Sequence, residues 1–294
     1  MRSFQLVEPV SVHGLPEHPF GLGQQGYALH EIVRIIVGNV DVKDQADNVF
    51  RLRRNELRTR PLRAHRVARV VKLLFESQVN LGDYSHLLTT VGARNSNFFA
   101  TIRDELILCL VARRERRFTE SFLYLYRILE YTSVAFPMLY ALSNQNFAGS
   151  LSFLKSLVSD GKQGDLKVLS KALPTLAAQG NLDGLLFDFS VAGYDVNLVS
   201  KIKSELNAAV KPAVSSMDFE DQGDILFRVA FNDMSHLFAT LRNRMFHYRN
   251  DERNIDLVKI GGAETVCKLC IDELIYWFCL VYTEIIRTVG KQII

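Results

Sequence analysis

The sequence predicts an all-α protein, and three observations carry that expectation. Apolar residues recur at three- and four-residue spacing through most of the longer segments. No βαβ alternation is present, and neither a glycine-rich phosphate loop nor an internal repeat can be found.

Taken in order, the chain opens on a segment rich in Pro, Gly and His, in which Phe4 to Val10 alternates and suggests an extended arm. Ala28 to Val37 reads as a short helix and Asp44 to Arg58 as a second. Pro61 suits the first turn of a third, running to Val79 with Val67, Val70, Val71, Leu74 and Phe75 as its apolar stripe. Ser85 to Val91 is short. Asn97 to Arg114 is stronger, with Phe98, Ile102, Leu106, Cys109 and Leu110 on one side. Thr119 is placed to N-cap the next helix, which continues to Leu142 with a kink at Pro137. Residues 143–222 read as short helices punctuated by glycine and proline. Asp224 to Asn243 reads as one helix through Ile225, Phe227, Val229, Phe231, Met234, Phe238 and Leu241. Gly261 and Gly262 then precede a final helix, Ala263 to Val289.

With 294 residues, 48% of them hydrophobic, the chain can bury a sizeable core. Its longest apolar run, Leu274 to Thr283, is about half of what a membrane-spanning helix requires, and no continuous apolar stretch follows Arg2. A cytoplasmic location, away from any membrane, is the expectation. Cys267 and Cys270 form a Cys-x-x-Cys, but both recur with Ile271 at helical spacing and no second ligand pair lies nearby. They are read as small core hydrophobes, and no metal is assigned.

The net charge is only +3, yet it is unevenly spread. Between Arg51 and Lys72 nine basic side chains face a single acid, Glu56. Such a block can serve as a solvated helix face, but like charges at this density are better tolerated beside a polyanion, and RNA is the partner expected there. Arg53, Arg58, Arg63 and Arg66 are its candidate contacts, to phosphate rather than to bases because aromatic residues are few. A second basic cluster comprises Arg113, Arg114, Arg116 and Arg117.

Near the C-terminus the chain reads Leu241-Arg242-Asn243-Arg244-Met245-Phe246-His247-Tyr248. An arginine is followed at once by an amide, with a histidine five positions after the arginine. A second Arg-x4-His, at Arg60 and His65, has Pro61 where the first has Asn243 and lies inside the basic block. The Arg242 motif resembles that of the HEPN ribonucleases, written Arg-polar-x3-5-His. The resemblance implies a HEPN-like helical bundle with additional N-terminal helices and a helical insertion. Residues 1–96 would then be a basic helical region and 97–294 the HEPN-like domain, interrupted by the insertion at 143–222.

The same resemblance implies an endoribonuclease that needs no metal or cofactor, with Arg242, Asn243 and His247 catalytic. Its products would be a 2′,3′-cyclic phosphate and a 5′-hydroxyl. It further implies a homodimer with a composite site, a role as a toxin or antiviral, abortive-infection effector, and a partner protein that inhibits or activates it. Glu130 would pair with Arg242, while Arg244, Tyr248 and Arg249 would widen the positive surface. Family members restrained by nucleotidyltransferases often carry His-x-Tyr; here Tyr248 follows His247 directly.

The chemistry fits these residue types on independent grounds. Metal-free RNA cleavage needs a base for the 2′-hydroxyl, an acid for the 5′-oxygen and positive charge on the phosphorane. Histidine can take either proton-transfer role, and a guanidinium can hold two phosphate oxygens. Five residues of α-helix turn through about 500°, which leaves the two side chains about 140° apart. Either the helix ends or bends between them, or a second subunit completes the pair. Asp233 and His236 share a helix face and are read as structural. The competing function is a non-catalytic helical module that binds RNA or nucleotide, or docks on a partner, through the Arg51 to Lys72 block.

Overall fold

A computed structural model describes residues 4–8, 22, 27–58, 80–143, 147–158, 165–247 and 253–293. The expected helix from Pro61 to Val79 lies outside them. The described residues are mainly helical, in keeping with the expected class, and they add two small three-stranded sheets that the all-α reading lacked.

The first sheet joins β1 (Gln5–Val7), β2 (Val40–Lys43) and β3 (Val49–Leu52), all antiparallel. The segment expected as a helix from Asp44 is therefore the turn and second strand of a hairpin. Asp44 accepts the backbone N–H groups of Ala46 and Asn48, and Asp47 takes φ 64°. That turn chemistry competes with helix formation. Before the hairpin, α1 (Ala28–Ile36) is buried on every residue. Its Arg34 reaches back to the arm, donating to Glu8 at 2.7 and 2.6 Å. Gly38, at φ 71°, lets the chain turn where a Cβ would stand 2.5 Å from the Arg54 carbonyl oxygen.

Next comes α2 (Leu81–Leu87), whose capping box pairs Asn80 with Asp83. A π-helical turn, Leu88–Gly92, leads on to α3 (Ser96–Arg114). α3 and α4 (Phe118–Thr132) form the most extensively packed helix pair, with α1 on the other side of α3. The residue preceding α4 is Arg117, not Thr119. Its exposed N–H groups are capped from afar: the Glu264 carboxylate accepts the N–H of Phe118 at 2.6 Å and that of Thr119 at 2.9 Å. Burial alone would raise the pKa of Glu264, but bonds from the Thr119 hydroxyl and these two amides outweigh it and lower the value.

The long apolar run breaks after Thr132, and α5 (Ala135–Ser143) begins separately. Pro137 lies in the first turn of α5 and cannot donate to the Ser133 carbonyl, so a break replaces the expected kink. Then follow α6 (Phe147–Val158) and α7 (Asp165–Gly180).

The second sheet has the order β4-β6-β5, with β4 (Leu186–Ser190) and β5 (Asp218–Phe219) flanking β6 (Ile225–Ala230). Between β4 and β5 lies α8 (Val196–Ala209), N-capped by Asp195. The stretch from Asp224 is thus not one helix. Ile225, Phe227 and Val229 alternate with period two as a strand, and α9 (Met234–Phe246) starts only after a 3-10 turn at Phe231–Asp233.

The last helix, α10 (Ala263–Ile293), packs against α4, α5 and α2 and beneath β4. Trp277 is fully buried on it, and its indole N–H donates to the Phe231 carbonyl at 3.1 Å. One continuous cluster of buried side chains joins α1 and β2 to α3, α4, α9 and α10. No helix among the described residues is long and apolar enough to cross a membrane.

Candidate active site

Helix α9 ends at Phe246, so the chain leaves the helix between Arg242 and His247. His247 takes φ −116° and ψ 100°, an extended conformation, while its N–H still donates to the Asn243 carbonyl at 3.0 Å. Of the two expected ways to reconcile the 140° rotation, a helix end is therefore present within one chain. His247 is exposed, and Arg242 and Asn243 are half-buried. Asn243 touches both neighbours: its side-chain oxygen accepts from Arg242 Nη1 at 3.1 Å, and its carbonyl holds the His247 amide.

The Arg242 guanidinium carbon lies 4.9 Å from the ring centroid of Tyr126 on α4. That ring is held edge-on to Phe238 at 5.4 Å, and Phe238 meets Phe122 at 4.7 Å, so aromatic packing fixes α9 against α4. Desolvation raises the Tyr126 pKa to about 12, with the nearby Glu130 charge acting in the same direction and Arg242 opposing it. Tyr126 therefore stays a neutral phenol at any physiological pH. Glu130 sits beside Tyr126, and among the described residues no direct ion pair joins it to Arg242.

The segment that returns after the motif is anchored on both sides. Ile255 N–H donates to the Arg244 carbonyl at 3.1 Å. Glu205, buried on α8, accepts Lys259 Nζ at 2.7 Å and the Asp256 N–H at 3.3 Å. The bond from Lys259 is the main reason that the Glu205 carboxyl titrates below its ordinary range. Asp233 has a similar structural use, accepting the Ser215 hydroxyl and the Ser216 N–H, each at 2.9 Å.

The expected RNA contacts Arg53 and Arg58, which fall among the described residues, are held by carboxylates. Arg53 is engaged by Asp41 through two bonds of 2.7 Å. Arg58 pairs with Glu273 at 2.6 Å and lies over the Tyr276 ring. Arg63, Arg66, Tyr248 and Arg249 lie outside the described residues. Cys109, Cys267, Cys270 and Cys279 are all buried thiols, and burial raises the pKa of each. Such thiols are poor nucleophiles and poor ligands at neutral pH. No group of three metal-ligating side chains occurs among the described residues.

Two features had no signature in the sequence. Tyr126 meets Arg242 across a separation of more than a hundred residues, which no local pattern encodes. The two basic runs, noted separately, also come together: Arg51, Arg53 and Arg54 share a cleft of about 280 Å³ with Arg113 and Arg114.

No family model matches the chain, and neither the curated proteins nor the solved structures include a match.

Proposed function

We propose that the chain is a metal-independent endoribonuclease of HEPN type, with Arg242, Asn243 and His247 as its catalytic group. The observation that carries this reading is the end of α9 at Phe246, which frees His247 from the helix one turn beyond Arg242 while Asn243 remains bonded to both. In the proposed reaction the 2′-oxygen attacks phosphorus as its proton passes to an imidazole. The P–O5′ bond breaks, and the 5′-oxygen takes a proton from an imidazolium. Arg242 neutralises the charge that develops on the non-bridging oxygens. One His247 cannot be base and acid in the same step, so a homodimer that brings two copies into one site is part of the proposal. The biological setting, a toxin or antiviral effector restrained or triggered by a partner protein, rests on the family resemblance.

The test uses purified protein, labelled single-stranded RNA and EDTA. Cleavage that persists in chelator and falls about 100- to 10,000-fold in His247→Ala supports the reading. Equal rates for the wild type and this variant would refute it and leave a binding module.

A further inference from the structure

We infer that the cleft between β3 and the C-terminal turn of α3 is a binding site for a nucleotide phosphate, either in a free nucleotide or in RNA. The site shares no residue with Arg242, Asn243 and His247, and the inference does not rest on the nuclease reading.

Charge accounting within the cleft carries the inference. Arg113 is bound by Glu56 through bonds of 2.8 and 2.5 Å and lies 3.3 Å from Asp272. Arg54 reaches the same two carboxylates, at 3.6 Å to Glu56 and 3.0 Å to Asp272. These four side chains neutralise one another, and Arg53 is neutralised by Asp41. Arg51 and Arg114 remain. Both are exposed, and neither has a carboxylate partner among the described residues. A bond from Arg114 Nη1 to the Arg51 carbonyl, 2.5 Å, brings the C-terminal end of α3 onto β3 and leaves four of the five guanidinium N–H donors of Arg114 without a partner there.

Two uncompensated guanidinium groups on one small cleft repel each other, and an anion of charge near −2 removes that repulsion. Phosphate fits because guanidinium can donate two parallel bonds to its oxygens. The cleft also has an apolar side, formed by Ile35, Leu52 and Leu110, all buried residues of α1, β3 and α3. Its volume of about 280 Å³ falls just below the range of about 300–1,000 Å³ typical of small-molecule sites, room for part of a nucleotide. A charged rim over an apolar wall suits a nucleotide better than a bare inorganic anion.

The geometry of the cleft is itself held rigidly. Gly38 admits the Arg54 carbonyl against the end of α1, and the Glu56 N–H donates to the Ile36 carbonyl at 2.8 Å. The backbone beside the cleft is thus fixed, and the ordering of the exposed Arg51 and Arg114 side chains is the entropy that binding must offset.

The test is calorimetric titration of the full chain carrying His247→Ala, which keeps RNA intact, with adenosine monophosphate, adenosine and a short single-stranded RNA as probes. Adenosine monophosphate or the RNA should bind, adenosine should not, and Arg51→Ala combined with Arg114→Ala should weaken binding about tenfold or more. Weakening for the mononucleotide assigns the site to a free nucleotide, and weakening for RNA alone assigns it to the RNA backbone. Absence of binding by both phosphate-bearing probes, or unchanged affinity in the double variant, overturns the inference. Arg51→Ala alone, which removes no ion pair, keeps the test decisive if the double variant unfolds early.

Discussion

Arg242 and Tyr126 meet 4.9 Å apart, guanidinium carbon to ring centroid, across the packing of α9 on α4. The contact fixes an otherwise flexible side chain over a neutral ring. Cation–π contacts of this kind contribute roughly 0.5–2 kcal/mol. If the chain cleaves RNA as proposed, Tyr126→Phe should keep cleavage close to the wild-type rate, whereas Tyr126→Leu should lower kcat/KM by about 2- to 30-fold. Steady-state cleavage assays decide this, and equal losses in both variants would argue against the ring face as the determinant.

Asn243 should be sensitive because its oxygen is the acceptor for Arg242. Asn243→Leu keeps the approximate size and the backbone bond to His247 but removes that acceptor, at a cost of about 1.5–3 kcal/mol for a charge-assisted bond. A fall of about 10- to 150-fold in cleavage is the expected outcome, measured beside urea unfolding because the lost bond also contributes to stability.

If one site needs a His247 from each of two copies, a heterodimer of wild type with His247→Ala should be inactive, and activity should fall as the square of the wild-type fraction in a mixture. Subunit exchange followed by the RNA assay measures this. A fall in direct proportion to the wild-type fraction, in a mixture shown by mass spectrometry to contain heterodimers, would place the complete reaction within one chain.

The buried pair of Arg113 and Glu56 gives a stability prediction independent of function. Glu56 is 3% exposed and is the main partner of a nearly buried guanidinium, so Glu56→Ala leaves Arg113 only Asp272, at 3.3 Å, to offset its charge. The expected loss is up to about 3 kcal/mol in urea unfolding, below that of a buried charge left with no partner.

Glu264 predicts a pH dependence. Its folded pKa lies below the ordinary value of 4.5, so its contribution is fully present above that value and is lost as pH falls through the folded pKa. Glu264→Gln should be less stable than the wild type by about 1 kcal/mol at neutral pH. The gap should close on acidification below about pH 4, as followed by urea unfolding at a series of pH values.

The helices that were readable in the sequence are those whose apolar spacing is unambiguous, such as Ser96–Arg114, Phe118–Thr132 and the final helix. The strand before the motif was misread for a definable reason. Leu226 and Phe227 are both buried, so β6 offers apolar residues to both faces, and its alternation merges into the helical pattern of Phe231, Met234 and Phe238. The hairpin at Asp44 was missed because its charged residues resemble a solvated helix face. The motif residues stand out by type and order, but their support does not. Tyr126, Glu264 and the meeting of Arg51 with Arg114 depend on tertiary contacts that local sequence cannot announce.

Trp277 is the only tryptophan in the chain, and its indole is bonded to the carbonyl of Phe231, at the joint where β6 passes into the motif helix. Excitation of that single chromophore therefore samples one place, the base of α9, without any introduced label. A shift or quenching of its emission on mixing with RNA or with a regulatory protein would be an optical record of movement transmitted to the root of the motif helix.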